Sequence, residues 1–340
     1  MNLLCMTYNQ LENQFRRRYG RGAFHATALY RAFYRKANLN LREVGAFDAS
    51  PALRQAVAGD LSIRVPSVVD IIEQDGVTKL AFRLDDGARV EAVVIPMANH
   101  ATVCISCQVG CRMGCRFCET ARIGWRRDLT VDEIVAQVYT VKVRMGIDVR
   151  NVVFMGMGEP LDNFDGVVQA IRVLEDQRGL DIAKRRMTLS TVGLLPEIRR
   201  LAALQWPQLK LAVSLNAPDD TLRSKLMPVN KRYPMSVLKT VLADYPLARG
   251  NALMIEYVLI KDVNDRPEHA ALLAAYLRGL TAKLNLIPYN PRRRSSLEAP
   301  TEKAVETFRR RLIDQRIFVR LRGSKGSRIR AACGQLGGAG

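Results

Sequence analysis

The stretch Cys111-Arg112-Met113-Gly114-Cys115-Arg116-Phe117-Cys118 decides how the rest of the chain is read. Its three thiols stand at x3 and x2 spacing, so one tight loop can aim all three sulfurs at a single centre. Cys104 and Cys107 lie just upstream, which puts five of the seven cysteines within residues 104–118; the other two are Cys5 and Cys333. An odd count, in a chain whose first residues, Met1-Asn2-Leu3-Leu4-Cys5-Met6-Thr7, show no basic-then-apolar leader, fits a disulfide framework poorly. A metal or redox site fits better. Thiolates are soft ligands, and two arrangements are open: a structural zinc with Cys107 as fourth ligand, or a 4Fe-4S cluster held by Cys111, Cys115 and Cys118 with one iron open to a substrate. Cys5 reads as a small buried hydrophobe near a frayed terminus.

Outward from this loop, apolar runs alternate with helical patterns. Strands are expected at Thr102 to Ser106, Asn151 to Met155, Arg186 to Ser190, Leu209 to Val213, Leu253 to Leu259, Leu284 to Ile287 and Ile317 to Leu321. Helices are expected between them, at Val131 to Val143, Phe164 to Gln177, Leu195 to Leu204, Met235 to Ala243, Pro267 to Leu280 and Glu302 to Gln315. Repeated βα units predict a parallel sheet with the site at the C-terminal ends of its strands. The second strand runs into Met155-Gly156-Met157-Gly158-Glu159-Pro160, where glycines would admit a ligand close to the backbone and Glu159 would accept from an ammonium group.

Residues before about 95 differ. Short helical patterns around Leu11-Gln14-Phe15, Ala28-Leu29-Ala32-Phe33 and Leu53-Ala56-Val57 carry Arg16, Arg17, Arg18, Arg21, Arg31, Arg35 and Lys36. Two alternating runs, Thr78 to Leu84 and Arg89 to Ile95, flank Asp85-Asp86-Gly87, a hairpin signal. The organisation expected is a basic helical accessory domain over 1–75, a β-hairpin linker over 76–98 and a catalytic domain over 99–340.

Composition limits the function classes. The chain has 340 residues, 48% hydrophobic and 25% charged, which describes a globular protein and not a disordered one. No apolar run is long enough for a membrane span, so a soluble, cytoplasmic protein is expected. Fifty-two Lys and Arg against 33 Asp and Glu give +19, a charge that suits a polyanion. The basic runs Lys184-Arg185-Arg186 and Arg309-Arg310-Arg311 read as solvated faces; Arg292-Arg293-Arg294, at a strand end, is the one to place beside such a polyanion, where Tyr289 offers a stacking surface to a base if the polyanion is RNA. Arg112 and Arg116 are placed to steady a reduced cluster.

A three-cysteine loop one βα unit before a Gly-Glu-Pro turn resembles the radical S-adenosylmethionine (SAM) superfamily. More specifically, the chain from Ala101 through Leu336 resembles the RlmN/Cfr family of radical-SAM RNA adenine methyltransferases. The resemblance rests on Cys104-Ile105-Ser106-Cys107-Gln108-Val109-Gly110-Cys111, Phe154 to Pro160, Leu189-Ser190-Thr191, Ser224-Lys225-Leu226-Met227-Pro228-Val229-Asn230, Asn285 to Pro291 and Ala331-Ala332-Cys333-Gly334-Gln335-Leu336. It implies an α/β fold: a partial (βα)6-type radical-SAM barrel with a small N-terminal helical accessory domain and a β-hairpin. It also implies a 4Fe-4S cluster on Cys111, Cys115 and Cys118, and two SAM molecules per turnover.

The chemistry implied follows from the inertness of adenine C2 and C8, which offer no nucleophile to the SAM methyl. By resemblance, Cys333 first accepts a methyl as S-methylcysteine. A second SAM then yields a 5′-deoxyadenosyl radical that takes hydrogen from it, and the sulfur-bound methylene adds to the base. Cys104 matches the resolving cysteine, which releases product through a transient disulfide with Cys333, and Glu91 aligns with the proton acceptor. Gly158, Glu159, Ser190, Ser214, Leu215, Asn216 and Asn290 carry over as SAM contacts. The implied substrate is 23S rRNA methylated at C2, with tRNA as a further substrate; the implied partners are RNA and a low-potential electron donor such as flavodoxin, for a monomer. The rivals are C8 methylation and, in another class, a noncatalytic zinc-bearing RNA-binding protein. Three departures stand out: Asn216 where relatives carry His, Arg328 and Arg330 where most carry Asp, and Cys107 where Ser is usual.

Overall fold

The computed structural model describes residues 1–292, 295–323 and 325–337; the expected RNA contacts Arg293 and Arg294 lie outside them. Twelve strands are described: β1 Ser67–Gln74, β2 Val77–Arg83, β3 Arg89–Pro96, β4 Ala101–Cys104, β5 Gln108–Val109, β6 Arg127–Asp128, β7 Val149–Phe154, β8 Met187–Thr191, β9 Lys210–Ser214, β10 Leu253–Leu259, β11 Ala282–Pro288 and β12 Val319–Leu321. All but β5 and β6 form one sheet in the order β1-β2-β3-β4-β7-β8-β9-β10-β11-β12. From β4 to β12 every neighbouring pair is parallel. These are the seven strands expected from the sequence. Their apolar runs, such as Leu211-Ala212-Val213, are buried because helices cover the outer face of a parallel sheet while its other face lines the interior.

The helices are α1 Tyr8–Tyr19, α2 Ala23–Lys36, α3 Pro51–Asp60, α4 Glu119–Ile123, α5 Val131–Tyr139, α6 Phe164–Glu175, α7 Leu195–Ala203, α8 Asp220–Leu226, α9 Met235–Ala243, α10 Pro267–Leu277 and α11 Glu302–Asp314. Their starts follow local chemistry. Thr7 with Gln10 and Thr130 with Glu133 make reciprocal capping boxes, and the Asp219 side chain accepts from Leu222 N at α8. α5 runs on through a π-helical turn, Thr140–Arg144. The short α4 and α8 were not expected from the sequence.

The hairpin differs from its expected place as a linker. β1, unexpected, pairs antiparallel with β2, and β3 pairs antiparallel with β4 through Val93↔Cys104 and Val94↔Val103. The meander therefore extends the barrel sheet itself, and Ser67–Gln74 is strand within the stretch expected to be helical. The N-terminus does not fray either: Leu3 and Leu4 are fully buried, and the Tyr34 hydroxyl donates to the Leu3 carbonyl at 2.8 Å. α2 lies against the π turn after α5, with Phe33 stacked on Tyr139 at 4.5 Å between ring centroids, so the N-terminal helices share one hydrophobic core with the βα series. Arg16, Arg17, Arg18, Arg21, Arg31, Arg35 and Lys36 are all exposed.

The barrel is partial: β12 and β1 are the edges of the sheet. After β12 the chain crosses to the meander. Lys325 Nζ lies 3.5 Å from the Pro96 carbonyl, and Gly326 packs against Val77. Gly337 N donates to Glu91 Oε2 at 2.6 Å. The C-terminal segment is thereby held between the last strand and β2–β3.

Candidate active site

One cavity lies at the C-terminal ends of the parallel strands. Cys111, Cys115 and Cys118 line it from the loop after β5, and Gly158 and Glu159 from the turn after β7. Ser190, Ser214 and Glu256 line it from β8, β9 and β10, Asn290 and Arg322 from just beyond β11 and β12, and Cys333 from the C-terminal segment. Burial pushes the Cys111 thiol up to about 12, and Cys115 is raised as well, chiefly by burial and next by Cys118. Such thiols give up their protons to a metal and not to water.

The donor set fits a cluster with an open iron. Cys107, the fourth ligand a zinc tetrahedron would need, does not line the cavity; its thiol is buried and hydrogen-bonded to the Met157 carbonyl, Sγ to O 3.6 Å. Among the described residues no group of three or more His, Cys, Asp or Glu is gathered as a ready-made metal site. Three thiols of one loop around a shared cavity, with Cys107 engaged elsewhere, suit a 4Fe-4S cluster and leave one iron for an exogenous ligand.

Glu159 is 3% exposed, and its carboxylate accepts from Leu161 N (3.2 Å) and Val192 N (2.9 Å). Burial outweighs these bonds and lifts its pKa to about 7. The glycines of its turn serve the protein's own packing and not ligand access alone. A Cβ on Gly156 would stand 2.6 Å from the Ile105 carbonyl, and one on Gly158 (φ +102°) 2.7 Å from Gln108 Cβ. Gln108 locks the turn, its Oε1 accepting from Glu159 N at 2.9 Å while Nε2 donates to Asp128 and Asp162.

Asn216 lines the cavity, yet its side chain is committed to the barrel. Its φ is +58°, a conformation Asn tolerates; Oδ1 accepts from Val258 N at 2.8 Å and Nδ2 lies 3.4 Å from Met227 Sδ. Leu215 is wholly buried in the core and does not line the cavity.

Cys333 is exposed as a residue, but the surface it offers belongs to the cavity. Surrounding protein raises its thiol pKa, Glu256 adds to the rise and Arg322 opposes it. Cys104, at the end of β4, is buried and free; its thiol is raised by burial first and by neighbouring Cys333 next. Glu91 does not line the cavity: it is buried, 3.3 Å from Lys79 Nζ, and holds Gly337 N. Three further bonds fix the Cys333 segment. Glu119 N donates to the Gly334 carbonyl (2.7 Å), Thr120 Oγ1 to the Leu336 carbonyl (2.8 Å) and Gln335 Nε2 to the Pro291 carbonyl (3.0 Å).

Several expectations are redirected. Arg112 pairs with Asp162 at 2.8 Å and stacks over Trp125 at 3.9 Å, and Arg116 is exposed. Tyr289 is buried in the cavity wall with its hydroxyl 2.9 Å from Ser295 Oγ, so it offers no surface platform. Lys184 pairs with Glu175, and Arg309 and Arg310 with Glu306. Sequence reasoning missed Glu256, Arg322 and the fully buried Arg223. The last donates to the Leu215 (3.1 Å), Val192 (2.7 Å) and Ser214 (3.2 Å) carbonyls and to Asn230 Oδ1 (2.8 Å), tying the ends of β8 and β9 together.

Comparison with known proteins accords with this geometry. Residues 105–274 match the model of the Radical SAM superfamily. A probable dual-specificity RNA methyltransferase RlmN 1 from Protochlamydia amoebophila is 42% identical, covering 99% of this chain and 94% of its own. The chain belongs to the RlmN family of radical-SAM RNA methyltransferases. A dual-specificity RNA methyltransferase RlmN from Syntrophobacter fumaroxidans is 41% identical over 93% of the chain and 92% of its own. The crystal structure of a radical SAM methyltransferase from Sphaerobacter thermophilus superposes with a TM-score of 0.91 at 38% identity, covering 99% of both chains. Membership in the RlmN family brings with it a 4Fe-4S cluster and SAM as cofactors.

Proposed function

We propose that this enzyme methylates C2 of an adenine in 23S rRNA, and also acts on tRNA, through a methyl group carried on Cys333. The observation that carries this reading is that Cys333 opens onto the same cavity as Cys111, Cys115 and Cys118. When bound, a cluster there would supply the electron for reductive cleavage of SAM. Cys111, Cys115 and Cys118 hold it. Glu159 receives the methionyl ammonium, and Ser190, Ser214, Gly158 and Asn290 complete the SAM contacts at successive strand ends; Asn216 contributes by holding the end of β9 against β10.

Cys333 acts as the methyl-bearing nucleophile; burial and the charge of Glu256 hold its thiol up, and Arg322 offsets part of that rise. Cys104 resolves the covalent protein-RNA species by attacking the Cys333 sulfur: a disulfide forms as the bond from that sulfur to the transferred carbon breaks, and the carbon keeps the electron pair and takes a proton to become the methyl group. Glu91, the aligned proton acceptor, first holds the C-terminal segment through Gly337, and proton acceptance requires that segment to shift. RNA reaches the cavity along the basic surface of α1 and α2, where counterion release contributes affinity. A low-potential reductant such as flavodoxin serves a monomeric enzyme in the cytoplasm; among the described residues no helix is long and apolar enough to cross a membrane.

The test is anaerobic reconstitution followed by methylation of unmodified 23S rRNA and tRNA, with digested nucleosides separated by mass spectrometry. Co-elution with 2-methyladenosine is expected. Co-elution with 8-methyladenosine, or no methylated adenosine, would overturn the assignment.

A further inference from the structure

Beside the Cys333 segment, outside the catalytic cavity, lies a second recess lined by Glu119, Arg292, Ser327, Arg328, Arg330 and Gln335. At about 200 Å³ it holds more than an ordered water or two would fill. Three buried polar atoms there lack a hydrogen-bond partner among the described residues: Glu119 Oε2, Gln335 Oε1 and Arg292 Nε. Leaving such groups unpaired is costly, and Glu119 and Gln335 are only 3% and 6% exposed. Their other atoms are used: Glu119 Oε1 takes Arg122, and Gln335 Nε2 donates to Pro291. The recess thus presents two buried acceptors wanting N–H or O–H donors, beside the guanidinium groups of Arg328 and Arg330 and that of Arg292, whose Nη2 already donates to the Arg116 carbonyl.

A simple anion satisfies only the arginines, and a cation only Glu119 and Gln335. A nucleotide carries both kinds of group, phosphodiester oxygens next to ribose hydroxyl or base amino donors. We propose that this recess binds a nucleotide flanking the target adenine. Its phosphate is held by Arg328 and Arg330, and its donors by Glu119 Oε2 and Gln335 Oε1. The placement suits that role, since Glu119 follows Cys118, Gln335 stands two residues after Cys333, and Arg292 two after Asn290. Arg328 and Arg330 are exposed and half-buried respectively, so they reach the strand from the open side. Phosphate contacts fix register, while the two acceptors read which nucleotide or sugar is present. This inference rests on the RNA methyltransferase reading above.

The experiment uses full-length reconstituted enzyme and synthetic RNA hairpins spanning the adenine mapped as methylated. Nucleotides on either side are replaced singly by the 2′-deoxy sugar or by a base lacking its exocyclic amino group. In the wild type, one flanking substitution should raise KM about tenfold at unchanged kcat; the sugar arm assigns the donor to ribose and the base arm to the amino group. Gln335→Met should erase most of that difference. The double variant Arg328→Asp/Arg330→Asp should raise KM for every hairpin about tenfold and reduce the salt slope of binding by about two, with RNA-independent formation of 5′-deoxyadenosine unchanged. No effect of any flanking substitution, or a wild-type KM and salt slope in the double variant, overturns the subsite alone. Failure of the wild type to methylate any RNA overturns the function and the subsite together, and that is read before any variant is made.

Discussion

The amide of Glu119 donates to the carbonyl of Gly334 at 2.7 Å. This bond ties the residue after Cys118 to the residue after Cys333, so the thiol proposed to carry the methyl is held in register with the loop proposed to hold the cluster. Thr120, the next residue, repeats the tie through its hydroxyl to the carbonyl of Leu336, two residues past Gly334. Thr120→Val removes that donor while keeping the shape, leaving a buried carbonyl unpaired at a cost of about 1–3 kcal/mol. The C-terminal segment should become protease-sensitive and kcat should fall several-fold, with SAM affinity unchanged. Limited proteolysis alongside single-turnover kinetics checks both.

Cys104→Ala should leave methyl loading of Cys333 intact and trap enzyme covalently joined to RNA, visible as a retarded band on a denaturing gel. Cys333→Ala should abolish both the band and RNA methylation while the visible charge-transfer absorption of the cluster persists.

Arg223→Ala empties a fully buried site and leaves the carbonyls of Val192, Ser214 and Leu215 and the Asn230 side chain without their shared donor. A loss of about 3–5 kcal/mol is expected from the cavity and the unpaired acceptors, measured by denaturant unfolding of the apo protein. Arg223→Lys recovers only part of it, because an ammonium cannot span four acceptors set for a planar guanidinium.

Glu159, with its pKa lifted to about 7 by burial, is largely protonated at pH 6 and ionised at pH 8. A cationic ligand needs the carboxylate, so SAM affinity should rise about tenfold between these values and level off above, a dependence that Glu159→Gln abolishes. For the protein alone the sign is reversed. An acid whose folded pKa exceeds its ordinary value favours the folded state while protonated, so this contribution is lost as pH rises from the ordinary carboxylate range through about 7. Isothermal titration across pH checks the first statement, and thermal unfolding of the ligand-free protein the second.

Gly156→Ala would drive a Cβ to 2.6 Å from the Ile105 carbonyl carbon and oxygen. Backbone cannot yield as a side-chain end does, so the turn carrying Glu159 must shift. SAM affinity is expected to fall at least tenfold, read by equilibrium binding.

The seven parallel strands were legible because burial on both faces imposes continuous apolar runs. Cys111, Cys115 and Cys118 were legible as a set because three thiols at such short spacing belong to one loop whatever fold surrounds them, and that loop lines the cavity. β1 was missed since Ser67-Val68-Val69-Asp70-Ile71-Ile72-Glu73-Gln74 is an edge strand, largely open to solvent, whose apolar doublets break the alternation of a half-buried strand. The glycines after β7 were visible, but what they admit, the neighbouring chain at Ile105 and Gln108, lies fifty residues away and leaves no local trace. Glu256, Arg322 and Arg223 acquire their roles only when separate strand ends meet. Asn216 shows the converse: its position was found, yet its amide is engaged with Val258, a partner no spacing could reveal.

The central claim is that Cys333 carries the methyl group that reaches RNA, and mass spectrometry of the peptide containing Cys333 tests it most directly. Enzyme isolated anaerobically with an intact cluster and SAM is predicted to bear one methyl on that sulfur, and to lose it in a single turnover with RNA. An unmodified Cys333 in enzyme that nevertheless methylates RNA would contradict the account.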